Sequence, residues 1–102
     1  MDTAESRTIR NLASKFPALN DAPGIWPWNP NQLDIWAAEV ADDRRAVTAA
    51  QFVLSVWNRR TEWECGRFEV TDAMNAWDHE NVVPFLEWIR QETKRRKHLL
   101  TV

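Results

Sequence analysis

The sequence predicts an all-α fold, an irregular bundle of four or five helices around a central helix at residues 44–58. Three observations carry that expectation. Apolar residues recur at three- and four-residue spacing in several segments, which is the period of one helix face. The 102 residues include only two glycines, Gly24 and Gly66, too few for the tight turns of an all-β chain. Seven tryptophans and four phenylalanines, with no tyrosine, supply a large apolar area from few positions. The length and an apolar fraction of 44% fit one domain spanning 1–102.

Each element has its own local reason. Asp2 stands three residues before Glu5, a capping signal, and Ile9, Leu12, Ala13 and Phe16 then line one face of a helix. Pro17 ends it, so residues 1–16 form a short N-terminal helix, either docked loosely on the body or swung out from it. Residues 17–30 read as a stiff loop, turning at Pro23-Gly24, with Pro27 and Pro30 fixing the backbone on either side of Trp28. Asn29 caps the next helix with Pro30 in its first position, and Leu33, Trp36, Ala37 and Val40 form its stripe. Asp42-Asp43 breaks that helix and caps the central one. There Ala46, Val47, Ala50, Val53, Leu54 and Trp57, widened by Phe52 and Val56, make an arc broad enough to be touched on several sides.

Residues 59–69 are charged and irregular, with a turn expected at Gly66. Thr71 is expected to cap a short helix through Ala73, Met74, Ala76 and Trp77. A final helix starting near Asn81 would put Pro84 in its first turn, where a missing N–H is harmless. Its expected buried side is Val82, Phe85, Leu86 and Ile89, with Trp88 adjacent. Residues 91–102 then prolong it as a basic, partly frayed tail.

Composition restricts the function classes more than it identifies one. The net charge of −2 hides an asymmetry: residues 1–89 hold 8 Lys/Arg against 14 Asp/Glu, whereas residues 90–102 carry five basic residues against Glu92 alone. Cys65 is the sole cysteine, so no internal disulfide forms, and no apolar run reaches membrane-spanning length. With no apolar secretory leader in the first ten residues, the expected location is cytoplasmic.

Candidate chemistry is sparse. Asp78-His79-Glu80 has metal-ligand residue types, but consecutive positions point apart, so helix punctuation explains it better. Cys65 and His79 lack a nucleophile-activating context, and Glu62, Glu64 and Glu69 around the thiol disfavour its ionisation. No metal, cofactor or catalytic residue is assigned. Trp36, Trp57 and Trp77 lie in helical stripes and belong to the core. Trp26, Trp28 and Trp63 fall in loops and are the candidate interaction residues.

The expectation is therefore a non-enzymatic protein–protein interaction module. It would act as inhibitor or adaptor of a basic partner, or as a homodimer. The alternative is a nucleic-acid-associated protein that binds through segment 90–98, with Arg90, Lys94, Arg95, Arg96 and Lys97 on phosphates.

Overall fold

A computed structural model describes residues 3–100, with side chains through residue 94. Five α-helices follow one another: α1 (Ala4–Ser14), α2 (Pro30–Glu39), α3 (Arg44–Trp57), α4 (Val70–Ala76) and α5 (His79–Leu100). A single 3-10 turn, Pro17–Leu19, sits between α1 and α2, and the described residues contain no strand. The all-α bundle read from the sequence is the one observed.

Helix α3 is the hub. Every residue from Ala46 to Leu54 is buried, which on a helix means burial on all sides and neighbours all round. Asp43 caps it by accepting from the Ala46 N–H at 3.3 Å. Against it, α1 buries Ile9, Leu12 and Ala13, and Phe16 follows just past the helix end. Helix α2 contributes Leu33 and Ala37, with Asn29 accepting from the Gln32 N–H as its cap. An aromatic cluster closes the far side of α3. The Phe52 ring lies 5.8 Å from Phe16, 5.2 Å from Phe68 and 5.1 Å from Phe85. Trp77 completes the cluster at 5.4 Å from Phe16 and 5.6 Å from Phe85, separations at which such rings attract.

Several local expectations are corrected. The first helix is capped by Thr3, which forms a reciprocal capping box with Ser6; Asp2 lies outside the described residues. Thr71 is not a cap but the second residue of α4, which starts at Val70 after Glu69. Helix α5 begins two residues earlier than expected, because the Asp78 carboxylate accepts from both the Asn81 N–H and its Nδ2. Pro84 consequently sits in the second turn and is buried. The buried face of α5 also differs from expectation: Asn81, Pro84 and Phe85 face the core, with Trp88 half-buried, while Leu86 and Ile89 are exposed.

The tryptophan assignment is also corrected in part. Trp77 is 7% exposed and donates from Nε1 to the Arg45 carbonyl at 3.3 Å. Trp36 and Trp57 are only half-buried, because each lies near its helix's C-terminal end, at the margin of the core.

Asn81 joins distant parts of the chain. Its Oδ1 accepts from the Ala18 N–H at 3.0 Å while its Nδ2 donates to Asp78 at 2.7 Å. The 3-10 turn and the start of α5 are thereby tied together across 63 positions.

Candidate functional site

The segment between α3 and α4 has no regular structure, so something else must hold it. Asp34 does. Its buried carboxylate, in the first half of α2, accepts from the Glu64 N–H and the Cys65 N–H, each at 2.9 Å. Gln51 adds a second tie from α3, donating Nε2 to the Cys65 carbonyl at 2.6 Å. Gly66, at φ +97°, lets the chain turn close over that amide, since a Cβ there would come within 3.2 Å of Gln51 Nε2.

The loop so held and the C-terminal half of α3 enclose a pocket of about 500 Å³. Gln51, Ser55 and Phe68 contribute to its lining, with Trp63 and the arginines Arg59, Arg60 and Arg67. The Trp63 Nε1 donates to the Asn58 carbonyl at 3.2 Å, which pins the indole across the turn. Gln51 Oε1 is buried and accepts no hydrogen bond.

The other candidate interaction residues lie elsewhere. Trp26 is 65% exposed, with the Arg10 guanidinium 4.2 Å from its ring centre. Trp28 is half-buried and meets Trp57 edge-on at 5.4 Å. Only Trp63 lines the arginine pocket. The loop tryptophans therefore do not form one platform: Trp28 packs onto Trp57, and Trp26 and Trp63 line separate cavities.

Sequence reasoning missed Asp34, Gln51 and the convergence of the three arginines. A signal was present in the segment 59–67, where all three sit beside Trp63. Gln51 is eight or more residues away on α3, and the sequence does not reveal that approach.

Among the described residues, no three of His, Cys, Asp and Glu gather as a metal group. Asp78 caps α5 and lies 3.3 Å from Arg45. The Asn81 amide first, and Arg45 further, hold its carboxyl below the usual range. Burial pushes the Cys65 thiol up to about 12, reinforced by a hydrogen bond to Asp34 and by that residue's charge. The thiolate is disfavoured as expected, but burial and Asp34 are the cause in place of Glu62, Glu64 and Glu69.

On α5, Arg90 and Lys94 are exposed, while the side chains of Arg95, Arg96 and Lys97 lie outside the described residues. From Ile89 to Lys94 only Glu92 is half-buried, the other five being exposed. No helix among the described residues is long and apolar enough to cross a membrane. Comparison with protein-family models, curated proteins and solved structures gives no match.

Proposed function

We propose that this chain is a non-enzymatic protein-interaction module that pairs with a second copy of itself through the outer face of α5. The exposure of Leu86 and Ile89, 53% and 44%, on adjacent turns carries the reading. Leu86 and Ile89, flanked by Val82, itself half-buried against the core, and exposed Thr93, follow at spacings of four, three and four residues, the seam along which two helices pack. Large apolar side chains aligned on a helix gain by leaving water, and a two-fold pair hides the same patch twice.

Charge supports the same arrangement. Glu80 and Glu87 lie toward the start of α5, and Arg90 and Lys94 follow, with Arg95, Arg96 and Lys97 next in sequence. Antiparallel pairing centred between Leu86 and Ile89 sets position 94 of one chain level with position 81 of the other. The acidic end of each helix then meets the basic end of its copy, and the uneven charge of the chain becomes self-complementary. The unpaired thiol of Cys65 supports a reducing, cytoplasmic setting for this module.

Sedimentation velocity across a wide concentration range tests the pairing. A dimer is expected for the wild type and a folded monomer for Leu86→Arg. Lys94→Glu should weaken the dimer, and adding Glu80→Lys should restore it. A wild type that stays monomeric refutes self-pairing. Salt-sensitive binding to duplex DNA that disappears on truncation after Arg90 would establish the nucleic-acid reading instead. Monomeric capture of a basic protein would establish the inhibitor or adaptor reading.

A further inference from the structure

The pocket between α3 and the 58–68 loop is chemically unlike the rest of the body. Residues 1–89 carry a six-charge acidic excess, yet three of their eight basic residues, Arg59, Arg60 and Arg67, line this one cavity. None of the three guanidinium groups has a hydrogen-bond or ion-pair partner among the described residues. Glu62 is the one carboxylate in the lining. The C-terminal end of α3 adds about half a negative charge nearby. Together they leave roughly 1.5 positive charges unmatched, a standing attraction for an anion.

Two further observations define the rest of the ligand. The Gln51 side chain is fixed by its Nε2 bond to the Cys65 carbonyl, which leaves Oε1 as a buried acceptor with no donor. Gln51 is only 6% exposed and lines the pocket with its Oε1 closed to water, so a ligand N–H or O–H that parts the lining would satisfy an oxygen that is costly to bury alone. Trp63 has already committed its Nε1–H to Asn58, so what it offers a ligand is its ring. A volume of about 500 Å³ suits a small molecule with a ring and a charged tail.

We infer that this pocket is a binding site for a phosphorylated planar heterocycle, with a nucleoside monophosphate as the representative ligand. The base stacks on Trp63 and gives an N–H to Gln51 Oε1, and the arginines take the phosphate. Guanidinium forks match phosphate oxygens in pairs, which is why the cations here are suited to that group. The inference does not depend on pairing through α5.

Isothermal titration of the full chain with the four common nucleoside monophosphates, inorganic phosphate and the matching nucleosides tests it. At least one monophosphate should bind, at least about tenfold tighter than either phosphate or its nucleoside alone. The double reversal Arg59→Glu/Arg67→Glu, at two exposed positions, should weaken binding by about tenfold or more while leaving the circular dichroism unchanged. The Trp63 indole N–H resonance should shift on binding. Trp63→Leu should reduce the preference for nucleotide over phosphate. No monophosphate binding, or phosphate binding equally well, overturns the inference. So does binding unaffected by the arginine reversals, or shifts confined to the basic end of α5.

Discussion

Replacing Asp34 is expected to loosen the 58–68 segment more than any change within that segment. Each carboxylate oxygen accepts one backbone N–H at 2.9 Å, from Glu64 and from Cys65, and the side chain is buried. Hydrogen bonds to a charged group contribute about 1.5–3 kcal/mol each. Asp34→Ala removes both, but Glu64 is at the surface, so water recovers part of one. The expected loss is about 3 kcal/mol, a large share of the stability of a domain this size. With a urea m-value of about 1.5 kcal/mol/M, the unfolding midpoint should fall by about 2 M. Asp34→Asn keeps one acceptor and turns an amide donor toward the other N–H, for a loss of about 2 kcal/mol.

Thiol reactivity gives an independent readout of the same carboxylate. Asp34 contributes, after burial, to the raised pKa of Cys65. Removing its charge should increase the thiolate fraction at mildly alkaline pH, by about tenfold for each unit the pKa falls. Iodoacetamide labelling followed by intact-mass spectrometry should therefore run faster in folded Asp34→Asn, where the side-chain shape is kept, than in the wild type. Wild-type stability in Asp34→Asn together with an unchanged labelling rate would refute the argument that this carboxylate both holds the loop and suppresses the thiol.

Two further outcomes are expected in urea titrations. Trp77→Ala should cost about 3–5 kcal/mol, because it empties a site ringed by Phe16, Phe68 and Phe85 and removes one of the donors to the Arg45 carbonyl. Trp57→Ala should cost clearly less, since that indole is half-buried; equal costs would contradict the burial order. For Asp78, a carboxyl depressed in the folded state stabilises above its unfolded value, near 3.8, and that contribution is lost as pH falls through the folded value. The stability gap between wild type and Asp78→Ala should accordingly be present at neutral pH and shrink in acid, and a gap independent of pH would exclude the ionised cap.

Much of the fold was legible because its helices announce themselves locally. Asn29-Pro30 and Asp43 mark helix starts by capping chemistry, and the run from Ala46 to Leu54 has no wide polar face to turn outward. The burial of α5 was not legible in the same way. Two apolar stripes, one through Val82, Leu86 and Ile89 and one through Pro84, Phe85 and Trp88, share the helix. Periodicity cannot choose between them; the choice is made by Asn81, which bonds the 3-10 turn and fixes the helix rotation. Asp34 was hidden for a related reason. An acid inside an amphipathic helix reads as its wet face until the backbone it serves, about thirty positions away, is folded against it.

The amide at Asn81 has a consequence for what chemistry that position tolerates. One end of the group must accept a hydrogen bond from the Ala18 N–H and the other must donate one to Asp78, in opposite senses and at the same time. Leucine imitates the shape and serves neither neighbour; aspartate serves Ala18 and sets two like charges face to face. Histidine has both functions but on a ring too wide for a site 2% open to water. Position 81 therefore discriminates by polarity direction as well as by volume, and the joint between the 3-10 turn and α5 is specific to asparagine.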